Sequence, residues 1–384
     1  MSETAPPGGL EVERLGVWLA QHCGLEAPVQ VEPVAGGRSN LTSVVTDAAG
    51  RRVVVRRPPL SGVLASAHDV VREGRIMAAL AGTAVAVPEV LGVEDDTTVT
   101  GAPFLVTAHV DGVVVRDRTV ASTLDVAQRA ALGRTVVDTL AAIHEVDVDA
   151  VGLGDLARRD GYLARQVARW TAQLDGGSDR PLPVLEALGR ALADAVPAQD
   201  GVALVHGDFR LDNLIVDLAP DLAADGAPAA APGAPAGGAV VRAVLDWELA
   251  TLGDPLADVG TLLAYWGVPA QDGQPASVLI PDLPTALVGF AGPGELVAGY
   301  AAARGIAADV LAERLRPYLA FAWFRIACIL EGVRVRTVAG AYGSMGEETR
   351  QEVQLLEGLV PSLGERALAV LTRPGPLGFD HELT

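Results

Sequence analysis

Two short polar strings, each set against an apolar run, constrain this chain more than anything else in it. His206-Gly207-Asp208-Phe209-Arg210-Leu211-Asp212-Asn213 lies between Ala203-Leu204-Val205 and Leu214-Ile215-Val216. Asp246-Trp247-Glu248 ends the run 240–245, and Gly253-Asp254-Pro255 follows. Apolar triplets on both sides of a polar loop read as short strands that fix its ends. A carboxylate, Asp208, then stands five positions before an amide, Asn213, and a hairpin strand delivers a second carboxylate, Asp246. Phosphoryl transfer uses these groups: one carboxylate orients and deprotonates a hydroxyl, while an amide and another carboxylate hold Mg²⁺ on nucleotide phosphates.

The Asp208-to-Asn213 spacing equals that of the protein-kinase loop H-R-D-x-x-x-x-N, with Gly207 where that motif has Arg. With the downstream D-W-E and G-D-P-x-x-D, it resembles the aminoglycoside phosphotransferase-like (choline kinase-like) family. The fuller strings VHGDFRLDNLIV and VLDWELATLGDPLADVG are similar to the branch related to the kinase domain of acyl-CoA dehydrogenase fusion proteins. The resemblance runs from about Val34 to about Arg336. It implies an α+β, bilobal protein-kinase-like fold with ATP and Mg²⁺ as cofactors. The expected small lobe, an antiparallel sheet with a helix, spans residues 1–110 after a mobile tail. The mostly helical lobe spans 111–384 and contains a disordered insertion at 217–239.

That division also follows from patterning. Strand-like runs at 29–34, 42–46, 52–57 and 104–110 surround one helical stretch, 67–80. Helical patterns dominate later, at 126–143, 160–172, 183–195, 294–304, 307–338 and 347–370. A first helix is expected at 10–23, stopped by Gly24. The segment APAAAPGAPAGGA within 217–239 is too small-residue-rich to bury a core, and lengthening a surface loop costs little. Residues 373–384 read as a loose tail.

A net charge of −19 argues against nucleic acid or an anionic membrane as partner. The N-terminus lacks a signal-peptide pattern, and Cys23 and Cys328 read as reduced structural thiols. A cytoplasmic location is therefore expected.

All 29 basic residues are Arg. Kinases place Lys on a small-lobe strand to bind phosphates and pair with a helix acid. Here Arg56 takes the strand position and Glu73 is the matching acid, while the adjacent Arg57 faces the other side. The bland alternative is an exposed strand Arg and a solvated Glu. Gly36, Gly37, Ser39 and Asn40 form a turn that either covers phosphates with its N–H groups or is an ordinary hairpin. Adenine recognition is expected from backbone groups of a hinge near Ala108 to Gly112, Ala108 and Val110 among them. Phe104 and Val106 fit either a purine pocket or the core.

Asn213 reads as a metal ligand or an Asx turn, and Asp246 as a metal ligand or a strand-end cap. Glu248 is a further ligand or an exposed acid. Asp212 contacts substrate or water. His206, Asp254 and Asp258 are expected to brace the loop. Arg325, Glu331, Arg334 and Arg336 interrupt an apolar helix, so each Arg needs either an internal carboxylate or an anionic substrate group.

The expected activity is ATP-dependent phosphorylation of a small-molecule hydroxyl. The resemblance implies a hydroxyacyl-CoA or hydroxy acid as acceptor and a functional link to an acyl-CoA dehydrogenase. An aminoglycoside or macrolide kinase is the first rival. A pseudokinase that binds nucleotide or acyl-CoA without turnover is the second, supported by the missing Lys.

Overall fold

The computed structural model describes residues 11–34, 40–59, 69–199, 201–218, 238–267, 283–340, 346–372 and 377. The expected tails, most of the 217–239 insertion, and Gly36, Gly37 and Ser39 lie outside these residues. The chain divides into two compact units. The first comprises 1–112 with two later pieces, 149–153 and 242–250; the second comprises 113–148, 154–241 and 251–384.

In the first unit α1 (Val12–Cys23) buries Leu15, Trp18 and Leu19 along one side. Gly24 stops it in the left-handed region. Strands β1 (Gln30–Pro33), β2 (Leu41–Thr46), β3 (Arg52–Arg57), β4 (Val90–Glu94) and β5 (Phe104–Ala108) make one sheet, ordered β1-β2-β3-β5-β4. Every pairing is antiparallel. Strand β3 is central, with Arg56 opposite Thr42 on one neighbour and Leu105 on the other. Helix α2 (Val70–Leu80) starts where the Asp69 carboxylate accepts from the Arg72 N–H. Phe104 and Val106 are fully buried with Trp18, Val53 and Val55, so they belong to the core.

The second unit contains α3 (Arg118–Ser122), α4 (Val126–His144), α5 (Tyr162–Gly177) and α6 (Pro183–Asp194). Strands β6 (Ala203–Val205) and β7 (Leu214–Asp217) flank the polar loop. β7 pairs with β8 (Val240–Val244) in a two-stranded sheet. β9 (Thr251–Gly253) returns antiparallel to β6. Helices α7 (Leu256–Trp266), α8 (Pro293–Ala303), α9 (Ala308–Val338) and α10 (Glu347–Thr372) complete it. Gly260 lets α7 approach α9 closely: a Cβ there would lie 2.7 Å from the Tyr318 backbone. Among the described residues no helix is long and apolar enough to cross a membrane.

Four elements, β4, α3, β9 and α7, are not evident from the sequence alone. In β4 the reason is local. Gly92 interrupts the strand pattern because the Trp18 indole packs where its Cβ would be, 2.6 Å away.

Candidate active site

The first unit gathers its polar side chains around Arg56. Its Nε lies 3.2 Å from Glu73 Oε2, and its Nη2 lies 2.5 Å from Asp246 Oδ1 and 3.2 Å from Glu248 Oε2. Asn40 donates its amide N–H to the same Glu248 oxygen at 3.2 Å. Glu73 is 2% exposed and the Glu248 side chain 8%, so neither is a solvated acid. One guanidinium thus meets three carboxylates. Burial pushes the Glu73 carboxyl up to about 7; Arg56 pulls it down, while Asp246 and Glu248 push it further up. Burial also works against the Arg56 charge, but the carboxylates outweigh it and raise its pKa.

Asp246 is held in an unusual backbone state. Its φ of 66° makes it the one non-glycine residue with positive φ among those described. Such a conformation costs about 1–2 kcal/mol and persists where neighbours enforce it. Here Trp247 enforces it: the indole is fully buried and donates to the Val244 carbonyl at 3.0 Å. Arg72 ties down the following turn by donating to the Glu248 and Ala250 carbonyls. At the sheet's end, the Ala108 N–H is taken by the Glu89 carbonyl at 2.8 Å. Val110 makes no backbone hydrogen bond among the described residues, so it is the better placed of the two to offer groups to a base.

In the second unit the loop after β6 carries Asp208. Gly207 turns the chain with φ 84°. The Asp258 carboxylate accepts from the His206 N–H at 2.6 Å and the Gly207 N–H at 2.8 Å. His144 Nε2 lies 3.2 Å from Asp258, and His144 Nδ1 lies 2.7 Å from the Tyr300 hydroxyl. Burial alone would raise the Asp258 carboxyl; His144 and the loop N–H groups reverse that and lower it. His206 Nδ1 accepts from the Asp208 N–H at 3.3 Å. Asp254 caps α7 at the Leu256 N–H and accepts the Tyr318 hydroxyl at 2.6 Å. The loop is therefore pinned by buried groups from α4, α7 and α8.

Asn213 Nδ2 donates to the Asp208 carbonyl at 2.8 Å and to Asp208 Oδ2 at 3.3 Å. That fixes the amide and leaves Asn213 Oδ1 without a partner among the described residues. Arg210 bridges Asp208 at 3.3 Å and Asp212 at 3.1 Å. Its guanidinium sits 5.0 Å from the Tyr265 ring centroid. A cavity of about 40 Å³ lies here, lined by Arg210, Asp212, Leu262, Tyr265, Trp266 and Leu283 among others. Arg325 projects from α9 toward the Trp170 ring, 6.0 Å from its centroid. The loop's support by His144 and Tyr300 left no sequence signal. Arg210 did: it lies inside the motif, at the second position after Asp208.

Residues 30–224 and 235–321 match the model of the Phosphotransferase enzyme family. The chain belongs to this family. It is 34% identical over 349 residues to acyl-CoA dehydrogenase family member 10 of Mus musculus, covering 91% of this chain. The match spans only 30% of that relative's length. Among solved structures, a Ralstonia eutropha protein assigned to the aminoglycoside phosphotransferases is 30% identical, with TM-score 0.70. That alignment covers 93% of this chain and 98% of the other. A complex of aminoglycoside phosphotransferase APH(4)-Ia with AMP-PNP and hygromycin B aligns at TM-score 0.54. It covers 91% of this chain and 97% of the other, and its 16% identity supports the fold alone. The family thus sets the fold as α+β and kinase-like, and the reaction class as phosphoryl transfer to an alcohol group.

Proposed function

We propose that this chain is a small-molecule kinase that moves the γ-phosphoryl group of ATP to the hydroxyl of a hydroxy acid or hydroxyacyl-CoA. The observation that carries this reading is the Asp208–Asn213 pair. The loop is fastened at its backbone, so the Asp208 carboxylate is aimed and not merely present. Kinase chemistry depends chiefly on such alignment. Asp208 accepts the acceptor's proton as its oxygen attacks the γ-phosphorus; the bond to the bridging oxygen breaks, and ADP leaves.

The donors suit Mg²⁺. Among the described residues Asn213 Oδ1 and Asp246 Oδ2 are oxygens with no protein partner, and Arg56 there meets three carboxylates. Hard oxygen donors of this kind, few in number, are how Mg²⁺ is held beside phosphates. We assign it to Asn213 and Asp246, where it would neutralise phosphate charge. Arg56 takes the phosphate-binding task that Lys has elsewhere, with Glu73, Glu248 and Asn40 setting its position. Val110 is assigned to the adenine, with Ala108 supporting it through the sheet. Gly36, Gly37 and Ser39 are assigned to the phosphates on sequence alone.

The acyl assignment is supported by the likeness to an acyl-CoA dehydrogenase family member. The likeness to a protein assigned to the aminoglycoside phosphotransferases supports the antibiotic reading. An acceptor panel separates them. The chain is incubated with ATP, Mg²⁺ and either hydroxy acids and their coenzyme A thioesters or aminoglycosides and macrolides, and products are weighed by mass spectrometry. Phosphorylated hydroxyacyl products that vanish in Asp208→Ala are expected. Turnover confined to antibiotics would reverse the choice of acceptor. ATP consumption indifferent to acceptor and to Asp208→Ala would end the kinase reading.

A further inference from the structure

Helix α9 carries two inward arginines with opposite circumstances. Arg334 is saturated: it pairs with Glu331 and Asp179. Arg325 has neither carboxylate nor hydrogen-bond partner among the described residues, and its guanidinium lies 6.0 Å from the Trp170 ring centroid. Trp170 is itself incomplete, because its buried indole N–H has no acceptor among the described residues. A buried donor left unpaired costs about 1–3 kcal/mol, so a native orphan calls for an explanation. The Tyr265 hydroxyl also has no partner among the described residues. Burial raises its pKa and Asp208 adds to the rise, while Arg210 and Arg325 pull against it. Arg325 and Asp208 thus both act on Tyr265 from within the second unit. The Tyr265 ring stacks under Arg210, which in turn touches Asp208.

We infer that Arg325, Trp170 and Tyr265 form a carboxylate-reading subsite for the acceptor, so that the alcohol presented to Asp208 is an anion. This rests on the kinase reading above and deepens it. A guanidinium fork matches the two oxygens of a carboxylate, and an indole N–H and a phenol add donors of the right kind. Arg325 itself has no carboxylate partner among the described residues, so an ammonium group placed beside its guanidinium would be repelled. The subsite therefore selects against polycationic sugars, whatever the acidic charge of the whole surface.

The test uses straight-chain hydroxy acids, each beside its neutral primary amide and its coenzyme A thioester. Wild-type protein should favour acid over amide through KM. Arg325→Gln should raise the acid's KM about 10–100-fold, the worth of a charge-assisted hydrogen bond, with kcat and the amide kinetics unchanged. Arg325→Lys should recover part of the loss. Independently of turnover, the Trp170 indole N–H resonance, assigned with Trp170→Phe, should shift on adding the acid without nucleotide and stay put with the amide. Acid and amide used equally would overturn the inference and leave the kinase reading intact. So would an indole signal indifferent to the acid, or an Arg325→Gln defect as large for the thioester, which would move the contact to a phosphate. If no acceptor is turned over, the kinase reading fails first, and the indole titration alone decides whether the carboxylate site exists.

Discussion

Two buried ion clusters in this chain use the same residue types and reach opposite electrostatic states. Around Glu331, two guanidiniums (Arg180 and Arg334) face two carboxylates (Glu331 and Asp179), and the Ser178 hydroxyl fills a further position. Hydrogen bonds from Arg334, Arg180 and Ser178 overcome burial and hold Glu331 down near 2. Around Arg56, one guanidinium serves three carboxylates, and Glu73 rises to about 7. The balanced cluster is complete without help. Among the described residues, the acid-rich one sets a single guanidinium against three carboxylates and leaves Asp246 Oδ2 unengaged. The balanced cluster fits a structural joint, and the acid-rich one is where the proposed cation is assigned.

The largest expected effect tests the balanced side. Glu331→Ala takes the shared carboxylate from two arginines and leaves Arg334 with Asp179 alone, and breaking such a cluster costs about 3–5 kcal/mol. Urea unfolding should show that loss, with turnover per folded molecule unchanged. The acid limb gives a second reading of the same group. Its carboxyl is held below its ordinary value, so its contribution is present above about pH 4.5 and disappears as pH falls toward about 2. Glu331→Gln should flatten that limb of a stability-versus-pH curve. An unchanged curve would show that the cluster is not what the helix packing depends on.

Substitution in the acid-rich cluster should reverse the pattern, with function moving and stability barely changing. Arg56→Lys keeps the charge but loses the fork that reaches three acids at once, so nucleotide KM should rise about tenfold. Thermal unfolding without ligand should move little. A KM equal to wild type would mean that the fork is incidental and that any cation on β3 suffices.

How much of this could be read from the sequence depends on the distance over which each feature is decided. The Asp208-to-Asn213 spacing is local, and the loop's strands follow from apolar triplets on both sides. The choice of Arg56 over Arg57 follows from strand alternation, and Glu73 from its place on the next helix. The brace on the loop is not local. Asp258, His144 and Tyr300 come from three helices, and nothing in their neighbouring residues says they meet. Residues 242–250 show the same limit: the sequence puts Asp246 at the end of a strand, whereas its grouping with Arg56 and Glu73 is a matter of packing. Arg325 and Arg334 look alike in sequence, nine positions apart on one apolar helix. Only the presence of Glu331 and Asp179 beside one, and of an unpaired indole beside the other, separates a joint from a candidate binding group.

The smallest effect sharpens the comparison most, because it reads the charge deficit itself. Glu73 keeps its proton to about pH 7 when folded but titrates near 4.5 when exposed. Folding therefore takes up a proton between those values. The stabilisation from this group is full below about pH 4.5 and is lost as pH rises toward 7. A divalent cation and Arg56-bound phosphates would redistribute charge around Asp246, and a net gain of positive charge favours ionised Glu73. Binding of Mg²⁺-nucleotide near pH 6 should then release a fraction of a proton, and affinity should strengthen as pH climbs to about 7. Calorimetry in two buffers of different ionisation heat would read the release directly, and Glu73→Gln should remove it. Equal heats in both buffers for the wild-type protein would mean that the bound cation does not relieve the crowding of carboxylates around Arg56. The contrast with the Glu331 cluster would then be one of packing, not of function.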